Sequence, residues 1–337
     1  MPGRACKGAK ASGLGVDFRR VGLQYIRGSI ARSSQQTYAS AFRSWEVFRA
    51  SIVTKPKYIC GRDSEHEKIM QLVEFAAWCC AVQGNQANTI SGKLGAVRYF
   101  HTVDVGVELP RESLLLKRQL DGMRRAHVLL GASRDLRLPI TMHELLLIPA
   151  HTYARWGPGG RVLGLCMMFS FFIGARAHEI FKDDAGRIHP VNCLIRDDIV
   201  FFAGAVQLPL ARIREATKAE IRFRGHKGDQ EQAGTVLVRT RKAAFGPFSR
   251  LDSDGGAVAV LVELLTSHEC LPGNAPLSAF REKGRVRVWS YREATRAIRQ
   301  VAVIAGLDPK RVSLHSLRIG YATVLAAGGG ISERVIQ

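Results

Sequence analysis

The sequence predicts a mainly α-helical fold with a small β-sheet, laid out as an all-α bundle followed by a mixed α+β domain. Three observations predict it. Apolar residues recur at steps of three and four from Ser33 to about Leu130. Ser/Thr-x-x-Glu pairs, which open helices, stand at Ser64, Thr141 and Ser290. The β-rich runs are short and fall between residues 199 and 239. With 337 residues, 46% of them hydrophobic, the chain can bury the core of one or two domains.

Residues 1–30 are rich in Gly, Ala, Arg and Lys without a period and read as a flexible basic arm. From Ser33 the stripe Tyr38, Ala41, Phe42, Trp45 and Phe48 marks an amphipathic helix. A second helix starts at the Ser64/Glu67 capping box, carries Ile69, Leu72, Val73, Ala76 and Trp78, and stops near Gly84. A third runs from about Asn88 to Val105 on Ile90, Leu94 and Val97. A fourth, from about Arg111 to Leu130, is expected to bury Leu114, Leu115 and Leu120 and to leave Lys117, Arg118, Arg124 and Arg125 on its other faces. Four such helices make a small bundle, residues 31–137. Gly131–Leu138 breaks the period and marks a domain boundary.

The second domain, 138–337, opens on the Thr141/Glu144 capping box and a long apolar helix to Ile173. Strands are expected at Ile199–Ala203, Ile221–Arg224 and Thr235–Arg239, the last two as a hairpin. Helices follow at about Gly256–Glu269, at Ser290–Ala305 with Gly306 as its stop, and at about His315–Ala327.

Forty-nine Lys and Arg against 29 Asp and Glu leave a net charge of +20. Both halves carry the excess, which points to a polyanionic partner, with nucleic acid first. The longest apolar run, Val162–Ala175, is short of the roughly 20 residues that span a bilayer and reads as a buried helix. The basic start, Met1–Gly13, lacks the apolar stretch of a secretory signal, and a nuclear or cytoplasmic location is expected. Seven cysteines without a C-x-x-C pair fit reduced thiols, with Cys79 and Cys80 as helix packing.

Three segments carry polar residues out of character with their surroundings. In Gly174-Ala-Arg176-Ala-His-Glu179 an arginine follows the most apolar helix, where its charge needs an anion or a carboxylate; a structural Arg176–Glu179 pair is the simplest reading of the segment taken alone. In Leu314-His315-Ser-Leu317-Arg318 a helix start puts His315 and Arg318 on one face, suited to phosphate. The turn RFRGHKGDQEQAG, 222–234, holds Lys227 near its tip with Arg222, Arg224 and His226 beside it; it fits either proton donation by a mobile lysine or a plain grip on backbone phosphate.

The order of arginine box, lysine hairpin and His-x-x-Arg box, after a basic helical domain, resembles the tyrosine recombinases, the phage integrase family. The likeness covers about residues 33–337, and the stretch SYREATRAIRQVAVIAGLDPKRVSLHSLRIGYAT from Ser290 is similar to eukaryotic mobile-element members. The resemblance implies a core-binding domain of the SAM-like type, then a catalytic domain acting on double-stranded DNA without metal or other cofactor. It implies self-association on DNA as a dimer or tetramer. It makes Arg176 the first catalytic arginine, Glu179 its structural acid, Lys227 the hairpin lysine with Lys218 as a weaker rival, and His315 and Arg318 the second box. Arg222, Arg224, Arg124 and Arg125 are candidate DNA contacts.

In that family a tyrosine attacks the phosphodiester, leaving a 3′-phosphotyrosyl bond and a free 5′-hydroxyl. Two arginines and a histidine steady the charge on the non-bridging oxygens, and a lysine protonates the leaving oxygen. The family's tyrosine, and a Gly-His or Gly-x-Trp element before it, come on a further helix. This chain stops at Gln337, 19 residues after Arg318, with ISERVIQ opening a helix at Ser332. Tyr321, one turn after Arg318, reads as packing. The expectation is a recombinase-like chain without its nucleophile; the alternative is a DNA-binding protein derived from a recombinase that does not cut. A metal-dependent nuclease would need Asp183, Asp184, Asp197 and Asp198 to cluster, and such pairs are more often turns and helix caps.

Overall fold

The computed structural model describes residues 18–30, 32–53, 55–129, 137–225, 233–241, 256–268 and 270–327. The chain divides into two compact units, Met1–Arg134 and Asp135–Gln337.

The first unit is helical: α1 (Phe18–Gly28), α2 (Arg32–Val47), α3 (Glu65–Ala81), α4 (Ala87–Val105) and α5 (Leu114–Leu129). The α2 stripe is buried as the period requires: Ala41, Phe42, Trp45 and, in the wider turn that follows, Phe48. The Trp45 ring meets Phe75 of α3 edge to face at 5.2 Å, and its indole N–H donates to the Lys57 carbonyl at 2.8 Å. Ser64 caps α3 by accepting from the Glu67 N–H at 3.2 Å, while the Glu67 carboxylate accepts from the Ser64 N–H at 2.7 Å. His101 of α4 is fully buried and neutral in its hydrogen bonding: Nδ1 donates to the Val97 carbonyl at 2.7 Å and Nε2 accepts the Ile59 N–H at 3.0 Å. Burial holds its pKa below the ordinary value. A left-handed Gly106 ends α4.

Two expectations for this unit need correction. Part of the presumed flexible arm, residues 18–28, is helix α1. The Gln35 amide donates to the carbonyls of Arg27, at 2.8 Å, and Ile30, at 3.2 Å, while Arg27 pairs with Asp104 of α4 at 3.4 Å, and these contacts hold an amphipathic segment that composition alone suggested was flexible. On α5 the buried stripe is Leu116, Leu120 and Met123, at steps of four and three, and Leu114, 64% exposed, and Leu115 lie outside. Three consecutive leucines fit either phase, and the partner helix selects one.

The second unit begins with α6 (Met142–Ile173), opened by the Thr141/Glu144 capping box. A left-handed Gly157 kinks it, and its second half is almost wholly buried. It is long and apolar enough to cross a membrane, and it serves here as the central core helix. After the short helix α7 (Ala177–Ile180), strands β1 (Ile199–Ala203), β2 (Val206–Leu208), β3 (Lys218–Phe223) and β4 (Thr235–Thr240) form an antiparallel sheet in the order β2-β1-β3-β4. In register, Ile199 faces Ile221, and Leu237 faces Ile221 from the other side. Then come α8 (Ala257–Thr266), a hairpin of β5 (Ala279–Glu282) and β6 (Arg285–Val288), α9 (Tyr291–Ile304) and α10 (His315–Ala327). The β5–β6 turn is Lys283-Gly284, both at positive φ, the two-residue reversal that suits strand twist.

His268, just after α8, is fully buried, and burial pushes its pKa down to about 4. A depressed folded-state value means that the unfolded chain binds the proton more readily. The stability is therefore complete above about pH 6.5 and is lost as pH falls toward about 4, by about 3 kcal/mol across that window. Urea unfolding from pH 7 to 4 should show this loss in the native chain and a flatter curve in His268→Asn.

Candidate functional site

Helix α6 ends in a Schellman motif: Gly174 is left-handed at φ 62°, its N–H donates to the Phe171 carbonyl, and the Ala175 N–H donates to the Ser170 carbonyl at 2.9 Å. This turn delivers Arg176 as the N-cap of α7. Glu179, buried at 4% exposure, accepts from the Arg176 N–H at 2.7 Å and from its guanidinium Nη1 at 3.1 Å. One edge of the guanidinium is thus oriented by a buried carboxylate, while the side chain keeps a third of its surface open. The structural pair and an outward-facing arginine are the same arrangement.

His315 and Arg318 lie on the first turn of α10, His315 exposed and Arg318 half-buried. Among the described residues neither side chain has a carboxylate or hydrogen-bond partner. The next turn of α10 joins them to the Arg176 loop. The Tyr321 ring packs edge to face on Phe171, and a Cβ built on Gly174 would stand 2.8 Å from that ring. Only glycine fits there, on two counts: the positive φ and the approach of Tyr321. The phenolic oxygen of Tyr321 accepts from Nη2 of Arg239, on β4, at 3.0 Å. Tyr321 is therefore packed and hydrogen-bonded within the unit.

Lys227 and His226 lie outside the described residues. Lys218, the other lysine of this region, sits 3.9 Å over the Phe202 ring and pairs with Glu220 at 2.9 Å. Arg222 is exposed at the end of β3. Arg224 is turned inward: its Nε meets the buried Asp198 at 3.1 Å, and its two amino groups donate to the carbonyls of Pro190, at 2.9 Å, and Cys193, at 2.5 Å. It thereby ties the strand end to the loop before β1. Burial raises the Asp198 carboxyl above its usual range, opposed by the Ile195 N–H and by Arg224. On α5, Arg124 pairs with Asp121 at 2.5 Å and Arg125 is exposed. The aspartates 183, 184, 197 and 198 pair with Arg187, Arg292, Arg196 and Arg224 respectively, and no group of three metal-ligating side chains occurs among the described residues. Six cysteines, Cys60, Cys79, Cys80, Cys166, Cys193 and Cys270, are free thiols.

Sequence reasoning did not single out Arg239. No sequence signal could have found it, because alternation puts Arg239 on the face opposite Val236 and Val238, and an apolar pair of valines would be expected to face inward and the arginine outward.

No family model matches the sequence, and no curated protein is similar to it in sequence. Solved structures are similar in fold. The XerH site-specific recombinase bound to palindromic difH substrate, a post-cleavage complex, superposes with a TM-score of 0.52 at 16% identity, over 90% of this chain and 71% of that one. The XerH pre-cleavage complex with difH gives 0.51 at 16% identity, over 94% and 77%. A helical first unit and a second unit of helices around a small antiparallel sheet are thus the fold that this chain shares with these site-specific recombinases.

Proposed function

We propose that the chain is a recombinase-like protein that binds double-stranded DNA and holds one backbone phosphate among Arg176, His315 and Arg318. The observation that carries the reading is the pair of donors, His315 and Arg318, on the first turn of α10, whose next turn packs against the Gly174–Arg176 loop. In the reaction such a site serves, a phenolate attacks phosphorus, the bond to the 5′-oxygen breaks, and that oxygen takes a proton. The arginine forks and the imidazole N–H would steady the charge on the non-bridging oxygens. Glu179 would keep Arg176 at its post, and Lys227 would supply the proton. Assembly as a dimer or tetramer on DNA and a mobile-element origin belong to the same reading.

The second reading, DNA binding without cleavage, is favoured by Tyr321. Its hydroxyl accepts from Arg239 and its ring is wedged against Gly174 and Phe171, so it is poorly placed to swing toward a phosphate held by Arg318 on its own helix. The test is a duplex nicked near the scissile phosphate, incubated with the 337-residue chain and run on a denaturing gel. The expected result is a shifted band on a parallel native gel and no protein-linked band on the denaturing one. A protein-linked band that disappears in Tyr321→Phe would overturn the assignment of Tyr321 to packing.

A further inference from the structure

We propose that Arg239 is a further DNA-phosphate contact of this site, held in place by Tyr321; the proposal rests on the DNA-binding reading above. Strand β4 is an edge strand with its usual polarity reversed. Val236 and Val238 are 55% and 47% exposed on the outer face, whereas Leu237 and Arg239 lie opposite the buried Ile221 and Ala219. Inward positions of a half-buried strand are normally apolar, and a half-buried guanidinium there needs compensation. The small Ala219 across the ladder leaves it room.

Among the described residues its compensation is incomplete. Nη2 of Arg239 donates to the Tyr321 hydroxyl at 3.0 Å and Nη1 to the neighbouring Val238 carbonyl at 3.2 Å, and among the described residues no carboxylate pairs with it. Arg176 and Arg224, also half-buried in this unit, both have a buried carboxylate. Arg239 instead has a neutral phenol, which orients the guanidinium without neutralising it. That phenol lies one turn beyond Arg318 and against Gly174, two residues before Arg176. The charge that no described carboxylate pairs therefore sits at the turn of α10 that packs against the Gly174 loop. A planar fork with free donors at this place fits a phosphodiester next to the one bound by Arg176 and Arg318.

The test uses the full chain with a fluorescein-labelled DNA duplex, reading affinity by anisotropy over a salt series and folding by thermal melting. Arg239→Gln should weaken binding several-fold and lower the slope of log affinity against log salt by about one, the signature of one lost phosphate contact, with the melting temperature unchanged. Tyr321→Phe should weaken binding in the same direction, the double variant should be no weaker than Arg239→Gln, and Arg239→Lys should restore the slope. Wild-type binding with an unchanged slope in Arg239→Gln, or a change confined to the melting temperature, would overturn the Arg239 assignment alone. Absence of salt-sensitive binding by the wild-type chain would overturn the DNA reading itself.

Discussion

Raising the salt from about 50 to about 200 mM is expected to weaken binding to duplex DNA by about a thousandfold, whatever the sequence of the duplex. The chain carries 49 basic against 29 acidic residues. Part of that charge is spent internally: half-buried Arg224 is paired with the buried Asp198, and Arg187 and Arg212 are paired with Asp183 and Glu215 at the surface. Arg118, Arg125, Arg222 and His315 stay exposed, and Arg318 is open on one side. Six or so simultaneous phosphate contacts, each releasing a condensed counterion, produce a loss of about that size. Anisotropy titrations on unrelated duplexes of equal length measure it. A flat response to salt, or no affinity at about 50 mM, contradicts the proposal.

Gly320→Ala is expected to destabilise the second unit by about 3 kcal/mol and to disturb the proposed phosphate site with it. Gly320 is buried in α10, two residues after Arg318 and directly before Tyr321, where the helix crosses the segment entering α6. A Cβ on it would run into the Ile140 carbonyl oxygen, with the Phe171 ring at 2.9 Å on the other side. A backbone carbonyl cannot rotate away as a side chain can, and the Ile140 N–H is itself bound to the Ser316 carbonyl at 3.0 Å. The helix must therefore lift, carrying His315 and Arg318 with it. Chemical denaturation of the whole chain reads the stability, and the DNA titration reads the site. Native-like stability in the alanine variant would show that α10 can shift at little cost.

Features that depend on residues close in sequence were legible without coordinates. The capping boxes at Ser64, Thr141 and Ser290 close within three residues, and each opens a helix where its spacing says it should. Strand β1 and helix α10 occupy Ile199–Ala203 and His315–Ala327, because β-branched and aromatic runs and helical periods are themselves local signals. The residue types of the candidate site, two arginines and a histidine suited to phosphate, could likewise be picked out, though not their mutual placement.

Tertiary contacts decided the rest. Which of three adjacent leucines enters the core depends on the phase that neighbouring helices impose on α5. Whether an arginine faces solvent or the interior is set by a carboxylate 26 residues away for Arg224 and by a phenol 82 residues away for Arg239. Backbone patterns are fixed by short-range sterics and hydrogen bonds, which a window of sequence contains. The fate of a long charged side chain is fixed by which partners the fold brings within about 3 Å of it, and those partners can lie anywhere along the chain.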